Sequence, residues 1–348
     1  MRLTATGGMI GPAYPSSSGS FRDPVRSHEV NFNNAEAYMR SAAAVLFGTA
    51  LFAATASAQP PTGLVVFGDS LSDPGNAFAL AGGTNTPPDY SQDFFLVPDQ
   101  PYARGGHHFT NGPTWIELLA RSRGLNANAQ PAFRGASAGA ANYAIGGARA
   151  RDDGSPINLS RQVDRFLQDV AGAGPSGALY VIEIGGNDLR DIAVTKDPSI
   201  AVDALNAIQA NVFRLYGAGA RNFLVWNAPR LAITPAIRMA DALFPGTVAI
   251  VDAITLGYNG GLTQYLDGLE LALPGSHFVR YDLYGAVAAI YANGAAFGLT
   301  NVTDPCIAPN VAPYFCQTPD DYMFWDGIHP TEAVHGIIAH EVDQLLGP

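Results

Sequence analysis

Five short apolar runs, each closed by Gly, Asn or Asp, recur along this chain with stretches of helical periodicity between them. The runs are Leu64–Phe67, Asn142–Ile145, Ala178–Ile184, Asn222–Trp226 and Phe278–Tyr281, and their β-branched and aromatic content reads as buried strand. Between them the spacing predicts helices. Thr114–Arg123 is expected to open behind Pro113, a residue preferred at the first helical position. Leu159–Val170 sets Val163, Phe166, Leu167 and Val170 on one face. Ile200–Tyr216 stops at Gly217, Val251–Leu271 follows, and Thr331–Leu346 closes the chain behind Pro330. Strand alternating with helix argues for a parallel sheet covered on both faces, within one α/β domain.

The 348 residues are 47% hydrophobic, ample for a sizeable core. With 19 basic against 30 acidic residues and a net charge of −11, the chain is no nucleic-acid binder, since phosphate neutralisation needs clustered Lys and Arg. Met39-Arg40-Ser41 leads into an apolar stretch from Ala42 to Ala54, followed by Ala56-Ser57-Ala58-Gln59. That is a secretory signal with cleavage expected after Ala58, and its apolar run is too short to span a bilayer. A signal begins at its initiator, so Met39 is the expected start. Residues 1–38 are then a non-native, disordered upstream extension, 39–58 the signal, and 59–348 the folded domain of a secreted or periplasmic protein. In such a chain Cys306 and Cys316 are expected to pair as a disulfide. Two thiolates without a nearby His do not close a tetrahedral zinc site. Gly82–Gly106 reads as a long excursion whose Tyr90, Phe94, Phe95 and Tyr102 either line a substrate cleft or pack on the body.

Three glycine-bearing turns follow strands, where ligands gather in open α/β sheets. Gly68-Asp69-Ser70-Leu71 follows the first strand and delivers a serine, although it is not the G-x-S-x-G elbow. Gly185-Gly186-Asn187-Asp188 follows the third, and the Asn187 amide suits a developing oxyanion as well as it suits a helix cap. Asn142–Ala148 contains Gly146-Gly147 but is not G-x-G-x-x-G, and no acidic ribose ligand follows, which disfavours a dinucleotide. Far downstream, Asp326 stands three residues before His329, a spacing that sets a carboxylate against an imidazole within one tight turn. Such a pair awaits a nucleophile, and Ser70 is the candidate. The adjacent His107 and His108 cannot easily converge on one ion, His335 and His340 are expected to be surface or packing residues, and His277 carries no motif. Asp69 and Asp73 are expected to form turns.

Taken in order, Gly68-Asp69-Ser70-Leu71, Gly147, Gly185-Gly186-Asn187-Asp188 and Asp326-x-x-His329 resemble blocks I, II, III and V of the GDSL esterase/lipase (SGNH hydrolase) family. The likeness runs from about Gly63 to Leu346. Phe109–Trp115 and Phe297–Asn301 are further similar to its bacterial phospholipase/lecithinase/hemolysin-like branch. The resemblance implies a flavodoxin-like, three-layer αβα sandwich around a mainly parallel five-stranded sheet. It implies Ser70 as nucleophile, His329 as general base and Asp326 as its orienter. The oxyanion hole would comprise the Ser70 N–H, the Gly147 N–H (with Gly146 in competition) and the Asn187 amide. No cofactor or metal is implied. The expected activity is a serine ester hydrolase acting on lipid, phospholipid or short-chain acyl esters. A carbohydrate O-acetylesterase and an acyltransferase would use the same acyl-enzyme, and a non-enzymatic binding module would lack one of these residues. The partner is a small-molecule or lipid ester, with contact at lipid surfaces at most transient and no obligate protein partner.

Overall fold

The computed structural model describes residues 60–82, 107–135, 138–307 and 315–348, all within the compact unit Ala58–Pro348. The expected upstream extension and signal, and the aromatic residues Tyr90, Phe94, Phe95 and Tyr102, lie outside the described residues. The strands and helices run β1 (Gly63–Gly68), α1 (Asn76–Leu80), α2 (Trp115–Ser122), α3 (Leu159–Asp169), β2 (Ala178–Glu183), α4 (Gly186–Thr195), α5 (Ser199–Gly217), β3 (Asn222–Trp226), α6 (Pro235–Leu243), α7 (Thr247–Ala272), β4 (His277–Tyr281), α8 (Leu283–Ala292), β5 (Asn301–Pro305), β6 (Tyr322–Phe324) and α9 (Glu332–Leu346).

Strands β1 to β4 form a parallel sheet in that order, with Leu64 opposite Leu179, Tyr180 opposite Phe223 and Leu224 opposite Val279. The run at Asn142–Ile145, expected as a strand, is a rudimentary fifth. It meets the free edge of β1 at a parallel bridge between Val66 and Asn142, with Val66 donating to Ala141 O at 2.9 Å and Tyr143 donating to Val66 O at 2.7 Å. Counted in chain order, the strands therefore lie 2-1-3-4-5. The order reverses beside β1, which in doubly wound sheets opens a crevice at the carboxyl ends.

Side chains alternate across the sheet and separate two cores. Val65, Phe67, Tyr180, Ile182, Phe223 and Val225 face α3, α4, α5 and α7. Leu64, Val66, Leu179, Val181, Leu224 and Trp226 face α2, α8 and α9. Burying both faces makes the three layers, and it explains why these strands lack a polar alternation.

The helix starts follow local chemistry. Pro113 precedes the helix rather than opening it. Thr114 is the N-cap of α2, and its N–H donates to the Glu117 carboxylate at 2.8 Å. Asn158 caps α3 by accepting from Arg161 N–H, and Thr234 caps α6 ahead of Pro235. Beyond the main sheet, β5 and β6 pair in parallel, which fixes where the chain turns toward Asp326. The expected Cys306–Cys316 disulfide is present and packs with Ile307 and Trp325.

Candidate active site

Ser70 is presented by a turn that its neighbours lock. At the end of β1, Gly68 N–H donates to Gln162 Oε1 at 2.9 Å, and Gln162 Nε2 donates back to Gly68 O at 2.8 Å. A Cβ at Gly68 would lie 2.5 Å from the Glu183 carbonyl oxygen, so the chain can pass β2 this closely only with glycine here. Asp69 then accepts from Leu71 N–H at 3.2 Å, a side-chain turn that lifts Ser70 out of the strand line. Ser72 Oγ bridges the Glu183 carboxyl and the Trp115 indole N–H, both at 2.9 Å. Asp73 does more than form a turn. Fully buried, it accepts from the N–H groups of Gly75, Asn76 and Ala77 and, at 2.7 Å, from that of Gly146.

The Asp326–His329 turn lies between β6 and α9. Asp326 Oδ1 accepts from Ile328 N–H at 2.8 Å and His329 N–H at 2.7 Å, and this curls the chain so that Oδ2 meets His329 Nδ1 at 2.7 Å. The ring's other nitrogen, Nε2, stands 2.8 Å from Ser70 Oγ. A carboxylate on one side requires Nδ1 to carry the proton, which leaves the Nε2 lone pair facing the serine hydroxyl. Both residues are buried. The Phe109–Trp115 segment, noted in the sequence only as a likeness, braces this turn. The Phe109 ring lies 5.3 Å from that of His329. Thr110 Oγ1 donates to Pro330 O at 2.8 Å, and Asn111 Oδ1 accepts the Glu332 N–H at 2.7 Å.

Of the two adjacent glycines, Gly146 has its N–H committed to Asp73, and a Cβ there would collide with the Phe109 ring. Gly147, at φ +79°, has open space where a Cβ would lie. The Asn187 amide opens α4 beside it, with Nδ2 donating to Ala148 O at 3.0 Å while Oδ1 accepts from Arg190 Nη1 at 3.3 Å.

Ser70, Asn187 and His329 share the wall of a cleft, partly open to solvent, with Trp115, Trp226 and Met323. Its wall also carries buried titratable groups whose burial the sequence did not reveal. Burial pushes the Asp69 carboxyl up to about 6, and burial together with the nearby Asp69 raises Glu183 well above the usual carboxylate range. His335, expected as a surface or packing residue, is buried. Its Nδ1 accepts from Trp115 N–H at 3.2 Å, and desolvation, then the neighbouring His329 and His108, lower its pKa to about 3. His340 is on the surface, bonded to Gln344. Among the described residues, no group of three His, Cys, Asp or Glu side chains is placed to hold a metal ion.

A parallel sheet whose first two strands end beside a serine and an amide, with a histidine brought to that serine from the turn before α9, is the arrangement expected of an α/β hydrolytic enzyme. Residues 64–342 match the family model described as GDSL-like Lipase/Acylhydrolase. Curated relatives of similar length agree. The chain is 28% identical over 330 residues to GDSL esterase/lipase At4g30140 of Arabidopsis thaliana, covering 85% of this chain and 91% of that protein. It is also 28% identical to GDSL esterase/lipase At4g16230 of the same plant, over 80% of this chain and 85% of that one. The chain belongs to the GDSL lipase/acylhydrolase family and is a hydrolase acting on esters.

Proposed function

We propose that the chain is an exported serine esterase in which Ser70, His329 and Asp326 form the catalytic triad and an acyl group passes through Ser70. The observation that carries this reading is the continuous chain of contacts from Asp326 Oδ2 through His329 to Ser70 Oγ, at 2.7 and 2.8 Å, in the wall of a cavity shared with Asn187. Ser70 Oγ attacks the ester carbonyl as His329 Nε2 takes its proton. The carbonyl oxygen becomes an oxyanion held by the Ser70 and Gly147 N–H groups and the Asn187 amide. His329 then hands the proton to the departing alkoxide, and the alcohol leaves. Water, deprotonated by His329, attacks the acyl-Ser70 ester, and the tetrahedral intermediate collapses to the carboxylic acid as His329 returns that proton to Ser70 Oγ. Asp326 keeps the imidazole in the accepting tautomer throughout and steadies it when charged.

The apolar lining of Trp115, Trp226, Leu283, Met323 and Ile338 supports acyl esters, lipid or short-chain, as substrates. The Cys306–Cys316 bridge supports export through the segment at 39–58, since disulfides persist in oxidising compartments. A panel of p-nitrophenyl esters of rising chain length, run on the parent and on Ser70→Ala, tests the chemistry. Turnover is expected for the parent alone, and equal turnover by Ser70→Ala overturns the reading. N-terminal sequencing of exported protein should begin at Gln59; full-length chain retained inside the cell would refute the export assignment.

A further inference from the structure

The two loops that would furnish oxyanion donors approach Ser70 from opposite sides of β1. Gly147 follows the rudimentary edge strand, and Asn187 opens α4 behind β2. Their relative placement is set by a cluster of charges outside the triad. Arg149 grips Asp191 of α4 with two parallel bonds, Nε to Oδ2 and Nη2 to Oδ1, each 3.0 Å. Arg151 reaches the same helix, with Nη1 on Asp188 Oδ1 at 3.0 Å and Nη2 on Asp191 Oδ2 at 2.6 Å. Asp188 is buried and also accepts the Ala150 N–H at 2.7 Å. Two guanidinium groups from the 146–151 loop thus lock onto two carboxylates one helical turn apart, with Asp153 a more distant third at 3.9 Å from Arg149.

One further bond separates this cluster from an ordinary structural bridge. The third arm of Arg149, Nη1, donates to the carbonyl oxygen of Gly147 itself at 2.8 Å. On the other side, Asp73 holds the Gly146 N–H. The peptide that carries the Gly147 N–H is therefore anchored at both flanks, within a residue whose positive φ gives the loop no regular strand or helix to rest on. Fixing the neighbours on each side fixes the direction of the N–H between them. An arginine suits this task because its planar fork takes the carboxylate side-on through two parallel bonds and leaves a third N–H for the carbonyl, a fixed geometry that an ammonium lacks.

We propose that Arg149, backed by Asp191, is a positioning residue that aims the Gly147 N–H at the oxyanion and couples it to Asn187. This rests on the triad reading given above. Removing an oxyanion donor outright costs about 10²–10³ in kcat, so misaiming one is expected to cost about tenfold to thirtyfold. The test compares Arg149→Met, Asp191→Asn and their double variant with the parent in p-nitrophenyl ester hydrolysis. Each single variant is expected to lose kcat by that factor with KM within about twofold. The double variant should be no worse than the poorer single, because both belong to one unit. Arg149→Lys, which keeps the charge but not the fork, should recover only part of the loss. Inhibition by a boronic acid that adds to Ser70 should weaken by the same factor as kcat. Amide exchange in peptides spanning 144–151 should quicken in Arg149→Met, whatever the esterase activity. Unchanged kcat in Arg149→Met, or additive losses that merely track a fallen melting temperature, overturns the assignment. Should the parent show no Ser70-dependent turnover, the triad reading falls while the exchange measurement still decides the clamp. Unchanged exchange then removes it.

Discussion

Replacing Asp326 with Asn exposes the logic of the site, because both oxygens of this carboxylate are committed. Oδ1 accepts two backbone N–H groups, from Ile328 and His329, and Oδ2 accepts the His329 Nδ1 proton. An amide has one oxygen. Placed at Oδ1, it satisfies both backbone donors and turns its NH2 toward Nδ1. The imidazole must then accept at Nδ1 and carry its proton on Nε2, where it faces Ser70 Oγ and cannot receive a second. Flipping the amide would restore the productive tautomer but strand two buried N–H groups, at about 1–3 kcal/mol each. At about 1.4 kcal/mol per factor of ten, the productive form falls to between about one part in thirty and one in twenty thousand. The upper end agrees with the loss of about 10⁴ seen for the same exchange in a protease triad. The assay is kcat on p-nitrophenyl acetate near pH 8, paired with thermal unfolding. We expect kcat to fall by at least about thirtyfold while KM and melting temperature hardly move. Asp326→Ala, which strands the backbone donors as well, should lose stability too. A kcat for Asp326→Asn within tenfold of the parent, in a protein that melts normally, would refute the tautomer argument.

Further substitutions separate packing, charge and covalent effects. Gly146→Ala drives a methyl into the Phe109 ring, which packs on His329, so activity should fall by at least about tenfold and adding Phe109→Ala should cost little more. Gly147→Ala meets open space and is expected to cost only the left-handed backbone penalty of about 1–2 kcal/mol in stability. Equal kinetic damage from both alanines would contradict this account. His335 stays neutral in the fold down to about pH 3, whereas the unfolded chain protonates it near 6.5, so acid draws the protein toward unfolding between those values. From pH 6.5 to 4.5 the parent should lose about 2 kcal/mol more than His335→Gln in urea titrations, and parallel curves would dismiss the idea. Cys306→Ser together with Cys316→Ser opens a loop of sequence separation 10, worth about 3 kcal/mol on the chain-entropy scale. Its denaturation midpoint should match that of the reduced parent.

The fold was legible wherever hydrophobic period decided it. All five apolar runs lie in or beside the main sheet, and helices occupy Leu159–Asp169 and Ser199–Gly217 almost as their spacing predicts. Less legible were α4 and α8. The first hides behind Gly185-Gly186, which read as a turn, and the second is apolar on most faces and shows no stripe. The short pairing of β5 with β6 joins segments 17 residues apart at their closest, and neither has a strand's length or pattern. For the site, motif spacing pointed to Ser70, Asn187, Asp326 and His329 because each is fixed by a few local residues. The choice between Gly146 and Gly147 could not be read, since it depends on a carboxylate 73 positions away. Nor could the roles of Arg149 and Asp191, whose pairing is a matter of which loops the sheet sets side by side.

Ser70 and His329 stand 259 positions apart, and their contact closes only when the segment between β6 and α9 has reached the end of β1. Most of the sheet can form during synthesis while the nucleophile still has no base. On the proposed triad, the growing polypeptide is thus silent toward esters until Asp326 and His329 have been made and brought to Ser70. Recovery of activity during refolding should accordingly lag behind every spectroscopic sign of sheet formation, so that turnover reports completion of the fold rather than its onset.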